Sequence, residues 1–257
     1  MKFDQPTSAI VTGGASGLGA ATAQALAGEN IHVFVIDLQQ SIDTLTDNGH
    51  TIEGVTYLAV DVTDFDQVTS AVQQATQVAP LRIAVNCAGI CPSQRIVGRK
   101  GIHDPGLFAS TIAVNLTGTF HVITAAAAAM ASQEPVDGDG QRGIIINTAS
   151  VAAFEGQVGQ SAYAASKGGV HSLTLTSARD LASLGIRVNA IAPGVVETPM
   201  MTAMPENVRT ELENRVVFPK RMARPEEYAG LVKSIVDNDY LNGETIRLDG
   251  GLRMPPR

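Results

Sequence analysis

The 257-residue chain is 44% apolar, 17% charged and 4% aromatic, with 25 glycines and no tryptophan. These proportions exclude a disordered, collagen-like or coiled-coil polymer and supply core enough for one large α/β domain or two small ones, without disulfide or metal staples. Eighteen basic against 25 acidic residues leave a net charge of −7, which disfavours nucleic acid and anionic membranes as partners and suits an enzyme of small molecules.

Asp4 and Pro6 stand where a secretory signal needs its apolar stretch, and the longest alanine-rich run, 125–131, is too short to span a bilayer. A cytoplasmic location without a membrane partner is therefore expected. Short β-rich runs then alternate with helical patterns. Strands are expected over 9–11, 32–36, 56–60, 83–86, 144–148, 187–191 and 245–248, and helices over 20–27, 64–78, 107–130, 163–184 and 225–236. Runs such as Val-Phe-Val-Ile and Ile-Ile-Ile lack polar alternation, so both faces of the sheet should be covered, as in a parallel sheet between helical layers. The expected architecture is α/β: one doubly wound Rossmann domain over 1–257, with a seven-stranded, mainly parallel sheet. Three stretches, 92–106, 134–143 and 193–223, read as surface loops, the first an insertion and the third a substrate lid.

The first strand runs into Thr12-Gly13-Gly14-Ala15-Ser16-Gly17-Leu18-Gly19 and then a helix. Residues without side chains let the backbone approach a pyrophosphate, and the helix offers free N–H groups and a positive dipole end. Asp37 closes the second strand, about where a carboxylate reaches the ribose hydroxyls of adenosine. It would repel a 2′-phosphate, so NAD is favoured over NADP. Asp61-Val62 closes the third strand and would meet the adenine; Asn86-Cys87-Ala88-Gly89 closes the fourth with small residues suited to close approach. A tight turn or a capping carboxylate explains each feature alone, but not their recurrence at successive strand ends.

Cys87 and Cys91 are the two cysteines, and the five histidines are scattered singly. No metal set has ligand spacing, and reduced thiols in a reducing compartment are the expectation.

After the fifth strand come Ser150 and Tyr163-Ala-Ala-Ser-Lys167. The i, i+4 spacing puts phenol and ammonium on one helical face. A lysine cation and a cationic nicotinamide would both favour the phenolate, making Tyr163 a base for an alcohol proton. Ser150 would stabilise charge on the substrate oxygen. Asn115, within a helix, would hold a water linking Lys167 to solvent.

Thr-Gly-Gly-Ala-Ser-Gly-Leu-Gly, Asn-Cys-Ala-Gly, Val-Asn-Leu-Thr-Gly, the Ser150/Tyr163/Lys167 set and Pro193-Gly194 together resemble the short-chain dehydrogenase/reductase family over essentially the whole chain. Cys87 departs from the family, where many members carry a second Asn, but leaves the backbone role intact. The stretch from Ile-Ile-Ile-Asn to Tyr163, the insertion from Arg95 to Asp104 and the ending Leu-Asn-Gly-Glu-Thr-Ile-Arg-Leu-Asp-Gly-Gly-Leu-Arg-Met are similar to the type II, short-chain 3-hydroxyacyl-CoA dehydrogenases. That resemblance implies NAD as cofactor, 3-hydroxyacyl-CoA as substrate, some activity on hydroxysteroids, and a homotetramer packed through the last strand. It places Ser150 and Gln157 against the substrate, and Ser16, Leu18, Asp37, Asp61, Val62, Cys87, Val196 and Thr198 along the cofactor.

On the substrate side, Met204, Phe218 and Met222 either close over an acyl chain or pack ordinarily against helices. Arg95, Arg99 and Lys100 either meet coenzyme A phosphates or are solvated loop charges. Two other functions stay open: a dehydrogenase of another secondary alcohol, and a non-catalytic dinucleotide sensor, against which the intact Asn115, Ser150, Tyr163 and Lys167 argue. A serine hydrolase is disfavoured because no Gly-x-Ser-x-Gly elbow occurs.

Overall fold

A computed structural model describes residues 1, 5–27, 31–99, 101–202 and 206–256. In chain order, β1 (Thr7–Thr12), α1 (Gly17–Ala27), β2 (Ile31–Asp37), α2 (Gln39–Asp47), β3 (Val55–Ala59), α3 (Phe65–Val78) and β4 (Leu81–Asn86) form the first half. A small hairpin, β5 (Val97–Gly98) and β6 (Gly101–Ile102), then precedes α4 (Pro105–Ile112), which runs through a π-helical turn at Ala113–Thr117 into α5 (Gly118–Ala131). The remainder is β7 (Gly143–Thr148), α6 (Ser161–Leu181), β8 (Ile186–Pro193), α7 (Pro199–Thr202), α8 (Glu206–Arg215), α9 (Pro225–Asp237) and β9 (Thr245–Leu248).

The main sheet has the order β3-β2-β1-β4-β7-β8-β9, with every neighbouring pair parallel. This is the seven-stranded Rossmann architecture expected. β1, β4, β7 and β8 are buried along their whole length, which accounts for runs such as Ile-Ile-Ile in β7, while β8 buries Arg187 and Asn189 as well. Successive side chains point to opposite faces. Ile10, Ala84, Ile145 and Val188 therefore pack with residues of α3 and α5 such as Val72 and Val122. Val11, Val85, Ile144 and Ile191 pack on the other side with Leu26 of α1 and Tyr228, Val232 and Ile235 of α9. Two apolar layers thus clamp the sheet and fix the strand ends.

β1 lies between β2 and β4, so the direction of strand addition reverses there and a crevice opens at the carboxyl ends of β1 and β4. The inserted stretch after β4 carries the β5–β6 hairpin, and the stretch 193–223 contains α7 and α8 where loop was expected. The continuous helix Pro105–Ala131 is long and apolar enough to cross a membrane by length and composition, a property that a search for unbroken apolar runs does not reveal. In this fold α5 packs against α3 and β4, and α4 packs against α6.

Candidate active site

The crevice is a cavity of about 800 Å³ reaching from Asp37 to Gln157. At its nucleotide end Gly13 has φ +64°, and a Cβ there would lie 2.8 Å from the Ala88 backbone; a Cβ on Gly19 would strike the Gly13 carbonyl. Only glycine closes this turn against the β4 end and starts α1 beneath it. Thr12 Oγ1 completes the join, accepting from the N–H groups of Cys87 at 3.0 Å and Ala88 at 2.9 Å. Asp37 is half-buried; Oδ2 accepts from Ala15 N at 3.0 Å and Oδ1 from Leu38 N at 2.8 Å. Its carboxylate is fixed at the cavity edge, with a lone pair left on each oxygen. Asp61 lines the cavity too, while its Oδ1 accepts from Thr63 N and Oγ1 and shapes the turn into α3. The glycine cradle and the anchored Asp37 together fit a dinucleotide.

Every cofactor residue expected from the sequence lines this cavity except Asn86. Asn86 is buried, and its Nδ2 donates to Asn147 Oδ1 at 2.9 Å, tying β4 to β7. Its side chain faces the sheet interior, so the strand end, not this amide, borders the cofactor space.

At the chemical end Ser150 follows β7, and its Oγ accepts from Ala152 N at 3.1 Å, capping a short 3-10 turn. Tyr163 and Lys167 come from the first turns of α6. Lys167 is 4% exposed; its Nζ stands 5.9 Å from the Tyr163 ring centroid and donates to the Thr148 carbonyl at 2.7 Å. Burial lowers the Lys167 ammonium to about 8. The Tyr163 phenol moves the opposite way from the sequence expectation: burial, with Cys91 adding to it, pushes it up to about 12, and the hydrogen bond with Ser150 opposes the rise. Desolvation disfavours the charged form of both groups. The protein alone therefore keeps the phenol protonated.

Asn115 occupies the π turn and is fully buried. Its Oδ1 accepts from Ile90 N at 2.8 Å, and Nδ2 donates to Ile90 O at 2.9 Å and Ser166 Oγ at 2.9 Å. The side chain thus pins the segment after β4 to α6. A Cβ on Gly89 would lie 3.1 Å from Asn115 Oδ1 and 3.5 Å from Lys167 Nζ, which shows how tightly the three segments meet.

Gln157 lines the substrate end together with Val151, Ala152, Met201, Leu212 and Met254. Met222 instead packs in a small core with Val195, Val216 and Leu252, and Phe218 is 81% exposed. Met204 and Lys100 lie outside the described residues. Arg95 and Arg99 are exposed beside the hairpin and do not line the cavity. Sequence reasoning missed Cys91, Gln160, Leu212 and Met254 at the wall. Leu212 and Met254 belong to segments whose approach to the cavity is set by packing far from the motifs.

The short chain dehydrogenase family model matches residues 7–209. The chain is 49% identical over 251 residues to the 3-hydroxyacyl-CoA dehydrogenase type-2 of Bos taurus, covering 96% of this chain and 95% of that one. It is 35% identical to a 3-oxoacyl-(acyl-carrier-protein) reductase of Thermotoga maritima, across 95% of this chain and 96% of that one. The crystal structure of 3-hydroxyacyl-CoA dehydrogenase type-2 from Mycobacterium avium superposes with a TM-score of 0.90 at 42% identity, over 98% of this chain and 97% of that one. With the glycine cradle at one end of the cavity and Ser150, Tyr163 and Lys167 at the other, the chain belongs to the short-chain dehydrogenase family of oxidoreductases.

Proposed function

We propose that the protein interconverts 3-hydroxyacyl-CoA and 3-oxoacyl-CoA with NAD, acting as a homotetramer in the cytoplasm. The observation that carries the chemistry is one continuous cavity with Asp37 at one end and Ser150, Tyr163 and Lys167 at the other. The names of the relatives and the apolar substrate end support the acyl thioester. Asp37 supports NAD, because a fixed carboxylate repels a 2′-phosphate.

When bound, NAD supplies the hydride acceptor. With the Tyr163 phenol ionised, which a cationic nicotinamide beside it would favour, the substrate's 3-hydroxyl would lose its proton to Tyr163 Oη as the carbinol carbon gives up its hydrogen with the bonding pair, leaving the 3-oxo group. Ser150 Oγ donates to the same substrate oxygen and stabilises its alkoxide character. Lys167, held by the Thr148 carbonyl, places its ammonium 5.9 Å from the phenol ring. In reduction Tyr163 returns the proton.

A panel of acyl-CoA thioesters, hydroxysteroids and simple secondary alcohols with NAD, read at 340 nm, tests the reading. Turnover of 3-hydroxyacyl-CoA is expected to exceed that of the other alcohols, and Tyr163→Phe should lower it by at least about a hundredfold while NAD still binds. Indifference to every acyl-CoA would remove the substrate assignment, and full turnover by the Phe variant would remove the base.

A further inference from the structure

The C-terminal tail forms part of the substrate wall. Beyond β9 the chain turns back over the loop between β7 and α6, where Val158 N donates to Pro256 O at 3.0 Å and Gln157 Nε2 to Pro255 O at 3.2 Å. Met254 lines the same end of the cavity as Gln157.

A charged cluster fastens this contact. Arg247 Nη1 and Nη2 donate to the two oxygens of Glu155 at 2.9 and 3.1 Å, and Arg247 Nε donates to Asp249 Oδ2 at 2.6 Å. Glu155 Oε2 also accepts from Met254 N at 3.0 Å, and Arg247 Nη2 donates to Leu252 O at 3.0 Å. Arg253 adds a bond to Asp249 at 3.1 Å, and the Arg247 guanidinium lies over the Phe154 ring at 5.1 Å. The Glu155–Arg247 pair is bidentate, with both side chains only about one-fifth exposed, the geometry in which an ion pair is specific as well as attractive. One carboxylate thereby grips both the arginine of the last strand and the backbone of the residue that faces the cavity.

We propose that the tail is a fixed wall of the acyl subsite, in which Met254 sets the chain length accepted and Glu155 is the positioning residue that holds Met254 in place. A thioether on an unbranched stem fills space adaptably. Replacing it therefore changes the room available to an acyl chain without touching Ser150, Tyr163 or Lys167. The inference rests on the proposed acyl-CoA reading.

The test uses the full chain and steady-state kcat/KM for straight-chain 3-hydroxyacyl-CoA of short, medium and long acyl length. Met254→Ala should raise the long-to-short ratio, and Met254→Phe should lower it, each by about tenfold, since one methylene of fit in an apolar pocket carries discrimination of that order. Met254→Leu should keep the ratio near that of the unaltered chain. Glu155→Gln should raise KM for the thioester several-fold while KM for NAD stays fixed; a general loss of structure would raise both. Ratios unmoved in the Ala and Phe variants would overturn the wall, and equal rises in both KM values would overturn the fastening. If the unaltered protein turned over no acyl-CoA, the proposed function would fail by itself. The same opposite shifts would then be expected across 2-alkanols of increasing length, and their absence there would sink the wall as well.

Discussion

The hydroxyl of Tyr228 lies 2.7 Å from Thr148 Oγ1, and Thr148 also supplies the carbonyl that holds Lys167. Tyr228 comes from α9 on one side of the sheet and Lys167 from α6 on the other, so the last residue of β7 joins the two layers next to the reacting groups. Burial raises the Tyr228 phenol well above its ordinary value, so it stays a neutral hydrogen-bonding group throughout the working range.

Tyr228→Phe keeps the ring and removes that bond together with the weak one that the hydroxyl accepts from Cys87 Sγ at 3.7 Å. Thr148 Oγ1 retains the Asn86 carbonyl as an acceptor, so the expected loss is about 1 kcal/mol in urea unfolding. Tyr228→Ala empties a fully buried ring site and should cost about 3–5 kcal/mol. Equal midpoints for the two variants would show that packing contributes nothing beyond the hydroxyl.

Lys167 gives a pH-dependent stability of defined sign. Its ammonium titrates at about 8 in the folded chain against 10.5 when unperturbed. Between those values the unfolded chain holds the extra proton, so raising the pH through this window favours the native state. Tyr163 acts oppositely, but only between 10 and about 12. Lys167→Met removes the first effect. Its stability relative to the unaltered chain should therefore fall by about 3 kcal/mol across the window, and urea titrations at several pH values check this. A constant difference would mean that the buried amine is not desolvated as its surroundings require.

Ser150 has two separable jobs. Its Oγ caps the 3-10 turn through Ala152 N and also hydrogen-bonds the Tyr163 phenol. Ser150→Ala should cost about 1 kcal/mol of stability as a lost cap, and should lower kcat about a hundredfold or more as a lost donor to developing charge. Ser150→Thr keeps the hydroxyl and should recover most of the stability. Rates unaffected by the Ala change would assign Ser150 to capping alone.

Much of this arrangement is legible in the sequence because the signals are local. The central strands carry short apolar runs such as Val-Phe-Val-Ile in β2 and Ile-Ile-Ile in β7, and the glycine loop and the Tyr163–Lys167 spacing each lie within one turn or one helix. What escapes is set by distant packing or by weak local preference. Gln39–Asp47 forms α2, although its serine, two aspartates and two threonines are poor helix formers that also favour turns. The π turn around Asn115 leaves the helical period almost unbroken, so only the hydrogen bonds to Ile90 reveal what that Asn does. Met254 reaches the cavity because Arg247 and Glu155 fold the tail back, a contact between residues 92 positions apart that no local pattern announces. The direction of the Tyr163 shift also depends on burial, which residue spacing does not specify.

Asp37 provides the sharpest test of cofactor choice. Its two oxygens are already fixed by the N–H groups of Ala15 and Leu38, so the negative charge cannot swing away from an incoming 2′-phosphate without giving up both bonds. Asp37→Asn removes that charge in nearly the same shape, retaining one oxygen acceptor and replacing the other with a donor. The NADP-to-NAD ratio of kcat/KM should rise about tenfold or more, because like-charge juxtaposition costs several kcal/mol in a fixed geometry. KM for NAD should rise as well, since the ribose loses a charged acceptor. Steady-state assays with both dinucleotides at saturating alcohol decide it: an unchanged ratio would show that Asp37 only closes the loop between β1 and α1 and has no part in discriminating the two cofactors.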